Sequence, residues 1–443
     1  MTSTPTPSLF FIHIPKTAGT TFKAFLENYY GNGESLAIPD RVAEHLTPDA
    51  LSGYSLFCGH YSSDVIAALD RQPDVKVVLL REPMDRFRSW TSNCRRVNDE
   101  KFRDMLLGFT DLEVITGPGS QVCFQAYWLA RALHGGADYA NLPSHDELPG
   151  MLAQVEIVGL TEEIERAMQL VAFRLGWPPP PRGWLINRSP GQASASVRKL
   201  SAAAGEAQIR PHLALDDCLY ALARHRFWAD YCAMLDELSP DVRSFTAQTA
   251  AEVPLATVQD WLRRRYLDRQ TGPRSAHVTR IDVTAESALR GEGWWWREVP
   301  GRFAYRWSGP GNTASLFFEP LALGRDYELT IDFMGAADWP TWDGVVLEVN
   351  GVPAPATLER IDGHEPGAPS LRLRARLTPD LVAQQDRITR LTFRVPEAKP
   401  VHRHIMMLET FDTYNPDERH KGLAVHRVHI EPAPRGPDTT ASR

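Results

Sequence analysis

The sequence predicts an α/β domain built on a P-loop-like parallel sheet flanked by helices, followed by an all-β sandwich or jelly roll. Two observations lead there. Through residues 1–250, short apolar runs alternate with stretches of helical periodicity, the pattern of a parallel sheet covered on both faces. Beyond Thr271-Gly272-Pro273 the texture changes to short alternating segments separated by Gly, Pro, Asp and Asn, the pattern of antiparallel sheets packed face to face. At 443 residues, 43% hydrophobic and 23% charged, the chain has the length for two domains and the apolar material for a large core.

In chain order, residues 9–14, 55–58, 75–80 and 156–159 are apolar runs of strand length. Helical spacing marks 20–27, 63–70, 84–92, 121–133 and 161–175. The last of these opens on Thr161 as N-cap with Glu162 and Glu163 in its first turn, and the prolines at 178–181 are expected to stop it. A helix over 216–238 closes this half. Residues 251–270 read as one more helix, with Val258, Trp261, Leu262 and Tyr266 at helical spacing. Strands of the second half are expected over 302–307, 314–318, 327–333, 345–349, 371–377, 390–395 and 424–430. The division is a first domain over 1–250, a helical linker over 251–275, a β-sandwich over 276–433 and a disordered tail over 434–443.

A formal net charge of −7 argues against a globally basic nucleic-acid binder and leaves room for a local basic pocket. The cysteines, at 58, 94, 123, 218 and 232, are odd in number and form no CxxC pair, which argues against a disulfide framework or a zinc ribbon. The opening MTSTPTPSLFFIHIPK has no basic n-region, and no 18-residue apolar span occurs. Neither a secretory signal nor a transmembrane segment is expected, and the expected location is cytoplasmic.

The strongest chemical signal is Phe11-Ile12-His13-Ile14-Pro15-Lys16-Thr17-Ala18-Gly19-Thr20-Thr21. A buried strand runs into a tight turn with a lysine, a glycine and hydroxyl residues, and a helix begins. The N–H groups of such a helix start, with Lys16 beside them, favour an anion. An ATP-binding P-loop ends in Gly-Lys-Ser/Thr; here Lys16 precedes Gly19. The second signal runs from Lys76 through Leu80-Arg81-Glu82-Pro83 to Ser89, with a strand ending at Arg81 and Pro83 suited to a first helical position. Arg81 would project from the carboxyl edge of the sheet, where open α/β sheets bind ligands, and Ser89, two turns along the helix, could face the same phosphate. A planar, permanently charged guanidinium suits a phosphomonoester. The plainer reading is that Arg81, Arg86 and Arg88 are solvated or pair with Glu82 and Asp85. Between the two signals, Phe57-Cys58-Gly59-His60-Tyr61 delivers His60 to the same edge, where an imidazole titrating near neutrality can take a hydroxyl proton. The plainer reading of His60 is a helix cap, and His13 and Glu82 are weaker candidates for a base.

Together, the His13–Thr21 loop and the Leu80–Ser89 segment resemble the sulfotransferases that use 3′-phosphoadenosine 5′-phosphosulfate (PAPS). They are closest to the carbohydrate branch of the heparan sulfate and uronyl 2-O-sulfotransferases. Val158-Gly159-Leu160-Thr161-Glu162 also resembles a family segment, and the resemblance covers about residues 8–240. It implies the sulfotransferase fold for the first domain. It implies that Pro15, Lys16, Thr17, Ala18, Gly19, Thr20 and Thr21 form the 5′-phosphosulfate loop and that Arg81 and Ser89 hold the 3′-phosphate. His60 stands where the family places a Gly-His catalytic base. PAPS would be the donor, 3′,5′-ADP the product, and the acceptor a hydroxyl of a polysaccharide, oligosaccharide or glycolipid, with no metal and no nucleic acid. Lys16 would neutralise charge on the bridging oxygen, and His60 would deprotonate the acceptor.

The adenine segment RKGxxGDW of the cytosolic family is absent, and Asn187-Arg188-Ser189 or Arg198-Lys199 are weaker candidates near the nucleotide. The missing membrane anchor, which Golgi relatives carry, points to a bacterial enzyme. Residues 1–250, which hold both phosphate motifs and His60, are expected to bind 3′,5′-ADP without residues 276–443. One alternative is a P-loop kinase using ATP, which the order of Lys16 and Gly19 and the lack of a Walker-B carboxylate oppose. The other is a non-catalytic glycan-binding protein, which intact Lys16, His60, Arg81 and Ser89 oppose.

In the second half, Trp294, Trp295, Trp296, Trp307, Trp339 and Trp342 lie close together in sequence. The Gly-Trp-x-x-x-Glu pattern at 293–298 and Arg306-Trp307-Ser308-Gly309-Pro310 resemble a β-sandwich appendage of bacterial polysaccharide-processing enzymes. Most of these rings are expected in the sandwich core, the remainder serving a carbohydrate or partner. His402, His404, His420, His426 and His429 are expected on a solvated, modestly basic edge rather than around a metal.

Overall fold

The computed structural model describes residues 6–36, 46–60, 63–67, 69, 72–95, 109–117, 120–134, 142–180, 205–239, 244–269, 277–361, 368–385, 388–400 and 419–434. Five strands, β1 (Leu9–Ile12), β2 (Ser35–Leu36), β3 (Leu56–Gly59), β4 (Val75–Leu80) and β5 (Ile157–Leu160), form a wholly parallel sheet in the order β2-β3-β1-β4-β5. Every residue of β1, β3 and β5 is buried. Successive side chains of a strand point to opposite faces, so both faces of the sheet are covered. The helices that concern the site are α1 (Gly19–Glu27), α2 (Pro83–Cys94), α3 (Gln125–His134), α4 (Ile164–Leu175), α5 (Ala214–Leu238) and α6 (Leu255–Arg269). α4 and α5 pack on β5, and α6 packs on both of them.

The strand order sets the position of the site. From β1 the chain leaves for β2 on one side, and from β4 it leaves for β5 on the other. The β1/β4 boundary is therefore the topological switch point, and ligands of open α/β sheets bind beyond the strands' carboxyl ends there. Ile12 is in register with both Gly59 and Val78, which brings the segments after β1, β3 and β4 to one edge.

Two helix ends differ from their sequence reading. Thr161 does not cap α4: Thr161–Glu163 form a 3₁₀ turn, and no side chain caps the helix that follows. Glu162 is turned outward, accepting from the Glu82 N–H (2.9 Å) and the Tyr220 hydroxyl (3.0 Å), while Glu163 pairs with Arg166. The helix stops at Gly176, not at the prolines. Gly176 takes a left-handed φ of 67°, and the Trp177 N–H returns to the Ala172 carbonyl (2.9 Å).

Among the described residues the second half contains two large antiparallel sheets and a two-stranded one, Lys399–Pro400 with His420–Lys421. One large sheet includes Thr313–Phe318, Val346–Val349 and Thr389–Arg394, the other Tyr327–Ala336, Leu371–Leu377 and Leu423–Pro432. Leu316, Leu347 and Phe393 of the first meet Ile331, Leu373 and Val428 of the second in one core. Other residues of this half join the core of the first half instead. Trp295, Tyr305, Trp307 and Ala424 belong to the apolar cluster of the parallel sheet. The strand Trp294–Glu298 lies against α1, where the Arg297 N–H donates to Asn28 Oδ1 (3.2 Å) and the Arg297 guanidinium to the Tyr30 carbonyl. Arg263 of α6 pairs with Glu292.

Trp294, Trp307 and Trp342 are core residues, whereas Trp339 is 52% exposed with the Arg360 guanidinium 3.8 Å from its ring. His426 is buried against the Ala304 carbonyl (2.8 Å) rather than solvated. His420 bonds the Ala398 carbonyl, and His429 stands between Asp282 and Glu431. His402, His404, Asn187, Arg188, Ser189, Arg198, Lys199 and residues 435–443 lie outside the described residues. Among the described residues no helix is long and apolar enough to cross a membrane.

Candidate functional site

Six residues, 13–18, turn the chain from β1 into α1. Within them Lys16 (φ 71°) and Ala18 (φ 60°) hold left-handed backbone, which non-glycine residues keep only where their surroundings enforce it. Those surroundings are hydrogen bonds to the turn's carbonyls. Thr17 Oγ1 donates to Ile14 O (2.9 Å), Arg86 Nε to Pro15 O (3.0 Å) and Arg81 Nη1 to Lys16 O (3.2 Å). Arg86 is fully buried, and its Nη atoms also reach the Val122 carbonyl (3.3 Å). Ala18 occupies the N-cap of α1 and has no side-chain acceptor to offer the first N–H groups.

α2 begins as its sequence predicts, with Pro83 in the first turn and Glu82 accepting from the Asp85 N–H (2.7 Å). Lys16 Nζ donates to Asn93 Oδ1 on this helix (3.0 Å). Half-buried Ser89 stands three residues after Arg86 and four before Asn93, the spacing of a single helix face. Arg86 and Asn93 both reach the Lys16 turn, so Ser89 lies on the face that meets it. Arg88 is exposed and pairs with Glu206 (3.2 Å) rather than with Glu82 or Asp85.

Arg81 follows β4 directly. Its backbone N–H and C=O bond the side chain of buried Gln125 at 2.9 and 2.8 Å. The N–H groups of Gln125 and Ala126 in turn donate to Asp216 at 2.7 and 3.0 Å. Burial pushes the Asp216 carboxyl up to about 6, against the pull of those two N–H groups and of Arg86.

His13 and His60 follow β1 and β3, and their rings stack with centroids 4.4 Å apart. His13 also stacks on Phe11 and packs closely against Gly19, where a Cβ would stand 1.8 Å from His13 Nε2. The glycine is required by that close approach. Burial, followed by the electrostatic influence of His60, Lys23 and Lys16, pushes His13 down to about 3. His13 is thus neutral and weakly basic near pH 7, a poor proton acceptor. His60 Nδ1 bonds the His13 carbonyl, which can only accept. The proton therefore sits on Nδ1, and Nε2 is the basic nitrogen. Trp128 lies 5.5 Å from the His60 ring, and Arg131, 5.8 Å from the Trp128 ring, donates to the His60 carbonyl. Glu82, the third candidate base, is engaged by Arg210 (2.7 Å) as well as by its capping bond.

Lys16, Arg81 and the Ser89 face thus meet around the turn, with His60 next to it across His13. Among the described residues no three His, Cys, Asp or Glu side chains converge as metal ligands. Comparison with protein families, curated proteins and solved structures gives no match. Sequence reasoning missed Asn93, Gln125, Trp128, Arg131 and Asp216. Asn93 carried a signal, being one turn beyond Ser89. Gln125 and Asp216 carried none, since they act across 44 and 91 residues of chain.

Proposed function

We propose that the chain is a PAPS-dependent carbohydrate O-sulfotransferase whose first half has the sulfotransferase fold. The observation that supports this best is the meeting of the Lys16 turn, Arg81 and the Ser89 face at the β1/β4 switch point, beside a histidine whose Nε2 is basic. The donor set suits the ligand: backbone N–H groups and Lys16 for a 5′-phosphosulfate, and the fork of Arg81 for a 3′-phosphate.

When bound, PAPS supplies an activated sulfuryl group, whose S–O bond to the 5′-phosphate breaks as the acceptor oxygen bonds to sulfur and 3′,5′-ADP leaves. Lys16 exchanges Asn93 for the oxygen on which negative charge develops. His60 Nε2 takes the proton of the acceptor hydroxyl, while the Nδ1–H bond to the His13 carbonyl fixes the tautomer and stabilises the imidazolium. Arg86 holds the Pro15 carbonyl and with it the curvature of the turn. Trp128 beside His60 offers an apolar ring to the C–H face of a sugar. A cytoplasmic location belongs to the same proposal.

The test is transfer of radiolabelled sulfuryl from PAPS to desulfated polysaccharides. The wild type is expected to incorporate label and His60→Ala to lose ~10²–10⁴-fold. Phosphoryl transfer from ATP with no sulfuryl transfer overturns the reading in favour of a kinase.

A further inference from the structure

The last register pair between β4 and β5 is Leu80 with Leu160, so the Arg81 backbone lies just beyond the ladder. Gln125 takes the place of a strand neighbour there. Its carboxamide accepts from the Arg81 N–H (2.9 Å) and donates to the Arg81 carbonyl (2.8 Å), reproducing with one side chain the two bonds of a paired residue. Gln125 is itself fixed. It is fully buried, and its own N–H and that of Ala126 are held by the Asp216 carboxylate at the start of α5. Arg81, so fixed, sends Nη1 to the Lys16 carbonyl (3.2 Å).

We infer that Gln125, held by Asp216, is the positioning residue that aims the Arg81 guanidinium at the anion site. A side chain that touches no ligand thereby sets the share of affinity that a 3′-phosphate contributes. The inference rests on the reading of Arg81 as the phosphate-binding arginine. Charged groups facing the Asp216–Gln125 link are Arg86 from α2 and Asp217 from α5, the latter paired with Arg210 (3.1 Å).

The chemistry of a carboxamide supplies a discriminating variant. Gln125→Glu is nearly isosteric. Its neutral carboxyl can still accept from the Arg81 N–H and donate to the Arg81 carbonyl, keeping both bonds. Its ionised form can only accept, and it turns a negative oxygen on the Arg81 carbonyl. Burial and the Asp216 charge raise the pKa of such a carboxyl, which brings its titration into a usable range. The variant should therefore behave as a pH-dependent form of the wild type.

The experiment measures Kd for 3′,5′-ADP and for 5′-AMP with the full chain by calorimetry, at about pH 5 and about pH 8. Each variant is normalised to the wild type at the same pH, which removes the titration of the phosphate itself and that of Asp216, whose carboxyl lies at about 6. The preference of Gln125→Glu for 3′,5′-ADP is expected to fall ~tenfold at the higher pH and to recover at the lower. Gln125→Met is expected to lose it at both. Should Gln125→Glu fail to fold at the higher pH, Asp216→Asn serves. Its amide nitrogen opposes one of the two N–H groups, and it should lower the preference while leaving 5′-AMP affinity in place. A preference unchanged at both pH values, or lowered equally at both in Gln125→Glu, overturns the inference while leaving the reading of Arg81 intact. A wild type that does not prefer 3′,5′-ADP overturns both.

Discussion

Trp307→Ala removes an indole that is 2% exposed and lies in the apolar cluster of the parallel sheet, although it comes from the C-terminal half. Tyr305 meets it edge-on at 6.2 Å, and the Lys421 ammonium lies 5.0 Å from its ring. The indole N–H has no hydrogen-bond partner among the described residues, so truncation strands no acceptor and the cost is one of packing. Removing a buried tryptophan costs ~3–5 kcal/mol. Because the cluster spans both halves, that loss should fall on both at once. The assay is hydrogen exchange by mass spectrometry across a urea series, following peptides from β1 and β4 alongside Tyr327–Ala336 and Leu371–Leu377. All should lose protection together, at a midpoint lowered by the equivalent of that cost. If β1 and β4 kept the wild-type midpoint while the C-terminal strands opened alone, the joined core would be refuted. By the same reasoning a chain cut ahead of residue 276 should open or aggregate, against the expectation, drawn from the motifs and the α/β pattern, that residues 1–250 bind 3′,5′-ADP without residues 276–443.

His60→Ala should lose ~10²–10⁴ in sulfuryl transfer with 3′,5′-ADP affinity unchanged; a matching loss of affinity would make His60 a structural residue. Gly19→Ala drives a Cβ to 1.8 Å from His13 Nε2, so the ring must move. The expected cost is ~1–3 kcal/mol in urea unfolding, with an altered His60 resonance by NMR; an undisturbed resonance counts against the stacked pair. His13 also predicts the acid limb of stability. Its pKa falls from 6.5 to about 3 on folding, so the unfolded chain takes the proton first. Its contribution is complete above about pH 6.5 and is lost as pH falls from there towards 3. His13→Gln should flatten that limb, and an unchanged slope would contradict the burial argument.

What was legible in the sequence follows from which forces are local. β4 was readable in full because Val75–Leu80 is apolar but for Lys76 and is bounded by turn residues. Residues 13–14 continue the run of β1 but are not strand, because the Ile14 N–H turns back to the Ile12 carbonyl (3.1 Å). β2, two residues long, has no pattern to read. The helix expected over 121–133 is a 3₁₀ turn, Ser120–Cys123, and then α3 from Gln125, the break lying where Asp216 takes the N–H groups of Gln125 and Ala126. In the second half, Leu371–Leu377 alternates cleanly and was readable. Trp294–Glu298 was not, because its consecutive tryptophans serve two cores, Trp294 the C-terminal one and Trp295 that of the parallel sheet. His60 and Arg81 were legible because each follows a strand directly, and Lys16 because it stands in the tight turn between β1 and α1. The groups that fix them reach in from distant helices.

The most direct test of the central claim is ligand-induced thermal stabilisation by 3′,5′-ADP, 5′-AMP and ATP–magnesium, on the wild type and on Arg81→Ala. A ligand at a hundred times its Kd adds ~2.7 kcal/mol to apparent stability. The account predicts that 3′,5′-ADP stabilises the wild type clearly more than 5′-AMP does, and that Arg81→Ala removes most of that difference. Equal stabilisation by 3′,5′-ADP and 5′-AMP, or stabilisation by ATP–magnesium alone, would contradict it.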